Sequence, residues 1–82
     1  RVADTLGWVY YKLGLYDEAI REFSASLDKL PENPTIQYHL GMTYYKKGDM
    51  QRARAALEKA LEAGEAFENI EEAKEALGRL RG

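Results

Sequence analysis

The chain has 82 residues, a formal net charge of −2, an isoelectric point near 5.4 and no cysteine. It can form no disulfide or thiolate metal site, and its slight acidity is not typical of a general nucleic-acid or anionic-membrane binder. No apolar run approaches the roughly 20 residues that span a bilayer, so we expect no membrane insertion by this segment. Nothing in the sequence indicates a cellular compartment.

The first helix is predicted at residues 2–13, and no capping residue stands ahead of it. A helix usually starts after Ser, Thr, Asp or Asn, whose side chain binds a free backbone amide. We therefore expect this chain to be a fragment of a longer protein. The helix should end at Gly14, because glycine adopts the left-handed conformation of a helix C-terminus at little cost.

The second helix is predicted at residues 17–29, where Leu15 ahead of the pattern offers no capping side chain. Pro31 then interrupts the helical pattern. Asn33 and Pro34 follow as the N-cap and the first residue of a third helix. These residues separate one helical unit from the next.

The third and fourth helices are predicted at residues 34–47 and 50–63. Gly48 ends the third helix as Gly14 ends the first. Asp49 is placed to cap the fourth helix with its carboxylate. The four helices thus form two successive pairs, each with a glycine at its internal turn.

A fifth helix is predicted at residues 69–81, where Asn69 and Glu72 have the spacing of a capping box. Its opposite faces differ: one is charged, and the other is an apolar stripe of Ile70, Ala73, Leu77 and Leu80. A helix of this kind suits the end of a repeat array, with its apolar side against the last unit.

Shifting the sequence by 34 residues aligns eight identical pairs: Leu6/Leu40, Gly7/Gly41, Tyr10/Tyr44, Tyr11/Tyr45, Lys12/Lys46, Gly14/Gly48, Ala19/Ala53 and Leu27/Leu61. The glycines and alanines would let the two helices of each pair approach closely. Larger residues would fill the space around these crossings: Leu6, Tyr10, Phe23 and Leu27, with Leu40, Tyr44, Leu57 and Leu61.

The first unit reads Ala3-x2-Leu6-Gly7-x2-Tyr10, then Ala19-x3-Phe23 and Pro31, and the second unit keeps most of this pattern. The chain thus resembles the tetratricopeptide repeat (TPR) family, whose unit has 34 residues. The resemblance implies an all-α, α-α superhelix of two antiparallel helical hairpins plus a solvating helix. Residues 1–82 would be a single domain: repeat 1 at about 1–33, repeat 2 at about 34–67 and a capping helix at about 69–81.

In TPR proteins the first helix of each repeat lines a concave surface, and besides Asp4 the resemblance assigns seven exposed, partner-binding positions here. They are Trp8, Tyr11, Lys12, Tyr38, Met42, Tyr45 and Lys46, and we call this set the inner face. Aromatic and methionine side chains are enriched at protein interfaces, so we expect a peptide or protein partner to bind there. The alternative is that Trp8 and Tyr38 pack against each other or against a further repeat.

One ligand class that the resemblance raises is disfavoured by the residues. TPR domains that bind chaperone tails hold a terminal carboxylate with Lys and Asn side chains. The matching positions here are Asp4, Trp8 and His39. Because an acidic residue and an indole cannot hold a carboxylate, we expect apolar and stacking contacts with a bound peptide.

The sequence gives little support to catalysis. His39 is the only histidine, and one imidazole without cysteine or clustered carboxylates makes a poor metal site and no Ser-His-Asp arrangement. We expect an ordinary interior or surface histidine. The glycines belong to the repeat rather than to a phosphate-binding loop. The sequence therefore predicts no enzymatic activity, cofactor, metal or nucleic-acid partner.

Two alternatives to a peptide-binding module stay open. Val2, Leu6, Val9 and Leu13 recur near the helical period, and such an apolar surface would favour self-association of the chain as a homodimeric scaffold. The second alternative is that the chain is a regulatory or substrate-presenting segment of a larger enzyme whose chemistry lies in another domain.

Overall fold

The computed structural model describes residues 2–64 and 67–81, with side chains described from residue 5 onward. Within these residues the chain forms five helices: α1 (Val2–Lys12), α2 (Tyr16–Lys29), α3 (Pro34–Lys47), α4 (Met50–Glu62) and α5 (Ile70–Arg81). The all-α class is confirmed, and each predicted helix end lies within one residue of the observed end. The predictions for the Val2 and Asp4 side chains lie outside the described part.

The turns inside the two hairpins have the same geometry. Gly14 and Gly48 have positive φ angles of 80° and 100°. In both turns the amide of the residue after the glycine donates to the carbonyl five residues earlier, at 2.9 Å. These bonds satisfy carbonyl groups that a helix end would otherwise leave without partners. The prediction that glycine ends α1 and α3 is confirmed.

The helix starts differ in their caps. Asn33 Oδ1 accepts a hydrogen bond from the Ile36 amide at 3.1 Å at the start of α3. Asp49 Oδ1 accepts one from the Arg52 amide at 3.2 Å at the start of α4. Both predicted caps are confirmed. Leu15 precedes α2 and makes no side-chain capping hydrogen bond, so α2 lacks the N-cap that Asp49 provides for α4.

Two apolar clusters form the core of the described chain. The first joins α2 and α3, with side chains of α1 packed on it, and its buried residues are Ala19, Phe23, Ile36 and Leu40. The second joins α3, α4 and α5, and its buried residues are Tyr38, Leu57, Ala60, Ala73, Ala76 and Leu77. Because α3 contributes to both clusters, it packs the two repeats together.

Small residues lie where the two helices of each hairpin cross. A Cβ atom added to Gly7 would lie 2.6 Å from the Phe23 ring, and one added to Gly41 would lie 2.9 Å from Leu57. Carbon atoms pack at roughly 3.5 to 4 Å, so either Cβ would push the helices apart. Close helix packing therefore explains the glycines inside α1 and α3, as predicted.

The prediction that Leu6 fills the helix crossing of repeat 1 is wrong, and the predicted open apolar side of α1 is observed instead. Leu40 is 8% exposed, whereas its counterpart Leu6 is 39% exposed. Val9 and Leu13 continue this open side of α1, with exposures of 47% and 67%. The corresponding side of α3 packs against α2, but no helix of the described chain occupies the equivalent place beside α1. Leu6 is therefore exposed because no described helix packs on its outer side, although its place in the repeat is the same as that of Leu40.

Ion pairs connect neighbouring helices at the surface. Lys47 Nζ lies 2.7 Å from Asp17 Oδ1 and joins the end of α3 to the start of α2. Glu58 of α4 accepts from Arg81 of α5 at 3.0 Å and from Arg54 at 3.4 Å. Exposed pairs of this kind contribute little to stability, typically about 0 to 1 kcal/mol. These ion pairs matter here because a charged side chain that is already paired is less available to other charged groups.

Candidate partner-binding face

The inner face is built by α1 and α3, the first helices of the two repeats. On α3, Tyr38, Met42 and Tyr45 are spaced four and three residues apart, so they share one side of the helix. Trp8 and Tyr11 lie three residues apart on α1. The face therefore requires both repeats, and its geometry depends on how α1 meets α3.

Trp8 is the centre of an aromatic stack that connects these two helices. Its indole lies against the Tyr11 ring, with centroids 4.3 Å apart and planes 3° apart. On α3, the His39 imidazole lies 4.1 Å from the indole at an interplanar angle of 22°. Stacked pairs contribute roughly 0.5 to 1.5 kcal/mol beyond the area they bury. Trp8 and Tyr11 are thus held in fixed orientations by the chain itself.

His39 joins this stack to the core. It is buried, and its imidazole also lies 5.5 Å from the Phe23 ring and 5.6 Å from the Tyr38 ring. Within the described part of the chain, no group of three or more His, Cys, Asp or Glu residues could hold a metal ion. The arrangement assigns His39 a packing role between the repeats. The sequence pattern did not reveal this role, because His39 lies at a position where repeat 1 has Thr5.

Tyr38 is a core residue rather than an open one. Only 6% of it is exposed, and it packs with Leu57 and with α5 in the second cluster. Phe67, just before α5, lies 6.1 Å from its ring. Burial raises the pKa of Tyr38, and the nearby Glu72 and Tyr11 raise it further. Tyr38 therefore supports the inner face from below and offers almost no surface to a partner.

The remaining inner-face residues are accessible to different degrees. Tyr11 is half-buried, and burial, followed by the neighbouring Tyr16, raises the pKa of its hydroxyl. Met42 packs against the second cluster and is also half-buried, as is Tyr45. Lys12 and Lys46 are exposed. The accessible part of the face consists of Trp8, Tyr11, Met42 and Tyr45, with Lys12 and Lys46 as its charged residues.

Tyr16 is a member of this region that the sequence analysis missed. Its ring lies 6.0 Å from that of Tyr11 at an interplanar angle of 59°. Tyr16 is the first residue of α2, and the tight turn at Gly14 brings it back beside the last turn of α1. The sequence did contain a signal for this contact, because the first residue after a hairpin turn lies beside the last turn of the preceding helix.

Comparison with known proteins decides the family. The tetratricopeptide repeat family model matches residues 5–68. The chain belongs to the TPR family. Human tetratricopeptide repeat protein 13 is 43% identical over 54 residues, which cover 63% of this TPR chain and 6% of that protein. This TPR chain therefore corresponds to a small part of that relative.

Membership in the TPR family sets the broad class of function. TPR repeats generally mediate protein–protein interactions, and the family is typically a non-catalytic scaffold. Among the described helices of this TPR chain, none combines the length and apolar character needed to cross a membrane. Since one fold serves many partners, the fold alone does not specify the ligand, which depends on the side chains of the inner face.

Proposed function

We propose that this TPR chain binds a peptide or protein segment on its concave surface, the inner face formed by α1 and α3. The proposed role is binding without catalysis. The observation that carries the proposal is the stack of Tyr11, Trp8 and His39, which fixes two large aromatic side chains at a partly open surface.

Fixed aromatic side chains favour binding because little conformational entropy is lost when a partner covers them. Residues that dominate binding energies are enriched in Trp, Tyr and Arg. Trp8, Tyr11 and Tyr45 are half-buried, so part of each side chain is still exposed to water. A partner that covers this surface would gain from the hydrophobic effect. Met42 adds a flexible apolar side chain that adapts to different partners. Tyr38 contributes by supporting these residues rather than by contact.

Selection of a displayed random-peptide library on the purified chain tests this proposal. We expect the enriched peptides, once synthesised, to lose about tenfold or more in affinity when Tyr45 or Tyr11 is replaced by alanine, as for residues central to an interface. Met50→Ala is the matched control, because Met50 is an exposed apolar residue at the start of α4, outside the inner face. Circular dichroism establishes that each variant is folded.

The opposite pattern would remove the proposal. If enriched peptides bind Tyr11→Ala and Tyr45→Ala as tightly as the unchanged chain, the ligand site lies elsewhere. The same conclusion follows if Met50→Ala weakens binding as much as Tyr45→Ala does.

Self-association is a second candidate, because α1 has an uncovered apolar side. Leu6, Val9 and Leu13 are exposed there, whereas the equivalent side of α3 is packed against α2. A second copy that covers this side would remove apolar surface from water. Analytical ultracentrifugation should then detect a dimer that Val9→Gln weakens and that Leu30→Gln, at an exposed leucine outside α1, leaves unchanged. A strict monomer at high concentration would exclude this candidate.

A further inference from the structure

We infer that the segment bound by the inner face is acidic on one side of an apolar anchor residue, with its carboxylates beside Lys12 and Lys46. This inference rests on the proposed function. It differs from recognition of a terminal carboxylate, since side-chain carboxylates within a segment are sufficient.

The two lysines hold equivalent places in the repeat. Lys12 follows Tyr11 in the last turn of α1, and Lys46 follows Tyr45 in the last turn of α3, with an offset of 34 residues. Both side chains are exposed, and neither forms an ion pair with any residue in the described part of the chain. Each aromatic residue at this end of the inner face is thus followed by an available positive charge.

Two acidic groups at the hairpin turns, Asp17 and Asp49, are paired with other cations. Asp17 lies 2.7 Å from Lys47, and Asp49 lies 2.8 Å from Arg52. These hydrogen-bonded cations lower the pKa of both carboxyl groups, and neither carboxylate forms an ion pair with Lys12 or Lys46. The charges of Lys12 and Lys46 therefore stay uncompensated at the hairpin-turn end of the face, although the whole chain has a net charge of −2.

The other end of the face has the opposite sign. Tyr38 of α3 packs in the second cluster with Ala73 of α5, and Glu72, which precedes Ala73, adds a negative charge that contributes to the raised pKa of the Tyr38 hydroxyl. On the same helix Glu71 is paired with Lys74 at 3.8 Å and Glu75 with Arg79 at 3.3 Å, so the negative charge at this end comes from Glu72, which forms no ion pair with a described residue. From Tyr38 to Lys46 the helix rises by roughly 12 Å, at about 1.5 Å a residue. A bound segment spanning this length would meet a positive field at one end and a negative field at the other.

These fields determine which segment is preferred more than how tightly it binds. Exposed charge pairs contribute about 0.2 to 1 kcal/mol each, which is a change in affinity of roughly 1.4- to 5-fold. Opposite and like charges at an interface also alter association rates and exclude wrong partners. The apolar anchor against Tyr11, Met42 and Tyr45 would supply most of the affinity, and the lysines would select acidic sequences.

The peptide pool selected on the chain tests this inference directly. We expect aspartate and glutamate to be enriched on one side of an apolar or aromatic residue. A synthetic peptide from the pool, acetylated and amidated at its ends, should bind about tenfold tighter than the same peptide with lysine in place of each acid. This preference should weaken as salt is raised, because exposed charges are screened.

A pair of double variants isolates the two lysines. Lys12→Gln/Lys46→Gln should bind the acidic peptide roughly two- to twenty-five-fold more weakly, while its affinity for a neutral version of the peptide stays unchanged. Lys29→Gln/Lys59→Gln removes the same net charge from exposed lysines elsewhere and should leave both affinities unchanged apart from a small common shift.

The outcomes separate this inference from the function on which it rests. If the selected peptides need Tyr45 but show no acidic enrichment, or if both double variants behave alike, the charge preference is wrong and the binding face stands. If enriched peptides depend neither on Tyr45 nor on Tyr11, both proposals fail.

Discussion

The two repeats place the same residue pattern in different surroundings. Leu40 has α2 on its outer side and is 8% exposed, whereas Leu6 has no equivalent neighbour among the described helices and is 39% exposed. Thr43 is fully buried, and its counterpart Val9 is 47% exposed, although valine is the more apolar of the two. The pattern thus specifies which side of a helix faces a neighbour, and the neighbour determines how far that side is buried.

The repeats also differ in details that the fold tolerates. Repeat 2 has Asp49 as a cap and Ala60 in the core, where repeat 1 has Leu15 and Ser26. Ser26 is buried, and its hydroxyl has no hydrogen-bond partner among the described atoms. We expect both differences to make repeat 1 the less stable of the two. Substitutions at equivalent positions can therefore measure what each choice contributes.

The largest contrast is expected for one substitution made at equivalent sites. Leu40→Ala should lower the free energy of unfolding by roughly 2 to 4 kcal/mol, because it leaves a cavity between α2 and α3. Leu6→Ala should cost about 1 kcal/mol, since its side chain is already partly in water. Urea unfolding of the two variants measures both values. Equal losses would contradict the assignment of burial to the neighbouring helix.

A helix-crossing glycine and an open glycine should respond in opposite directions. Gly41→Ala should destabilise by about 1 to 3 kcal/mol, because its Cβ would lie 2.9 Å from Leu57 and 3.3 Å from the Ala53 carbonyl. Gly78→Ala in α5 meets no atom within 4 Å and should stabilise by roughly 0.5 to 1 kcal/mol. Thermal unfolding monitored by circular dichroism tests the sign. A gain in both variants would mean that the crossing is looser than described.

Ser26→Ala should make repeat 1 more like repeat 2. Removing a buried hydroxyl that lacks a partner should stabilise the chain by about 1 kcal/mol. The reverse change, Ala60→Ser, should destabilise by a similar amount, because Ala60 is fully buried. Guanidinium unfolding of both variants gives the comparison. If Ser26→Ala is destabilising, its hydroxyl has a role in packing that the geometry does not reveal.

Leu15→Asp should supply the missing cap of α2. An aspartate there would accept a hydrogen bond from a free amide of the first turn, as Asp49 does in α4, and should stabilise by about 0.5 to 1 kcal/mol. Leu15→Ala serves as the control for the loss of the exposed leucine. Denaturant unfolding should rank the aspartate variant above the alanine variant, and the reverse order would contradict the capping argument.

The smallest effect concerns the acid dependence of the existing cap. Hydrogen bonds from the Arg52 side chain and backbone hold the pKa of Asp49 below its ordinary value of 3.8. A lowered pKa means that this stabilisation is complete well above pH 3.8 and is lost as the pH falls through the folded-state pKa. The stability advantage over Asp49→Asn should therefore shrink on acidification, as measured by urea unfolding at each pH. An advantage that grows in acid would contradict the sign.

Much of the fold follows from local chemistry and could be predicted from the sequence. The 34-residue offset is visible in the sequence itself, and the predictions of glycine at positive φ and of the Asn33 and Asp49 caps, which depend on neighbouring residues, are confirmed. What escaped prediction depends on contacts between distant segments. Tyr38 is buried by α5, more than thirty residues later in the chain, and the helical period alone does not indicate how α5 lies on it.

The inner face shows the same division. The period and the family resemblance assigned its seven positions, but they gave no ring orientations. The stack of Trp8 on His39 depends on the distance between α1 and α3, which results from the packing of both on α2. Tyr16 was missed because it belongs to the second helix of its hairpin.

The stack of Trp8 on His39 also makes the chain a reporter of its own cooperativity. Trp8 is the only tryptophan, and it touches the boundary between the two repeats. Its fluorescence therefore follows separation of that boundary, whereas circular dichroism follows loss of helix. In a repeat protein, stability is approximately a sum of terms for each unit and each interface. Coincidence or divergence of the two signals during unfolding would measure how strongly the interface makes both units melt together.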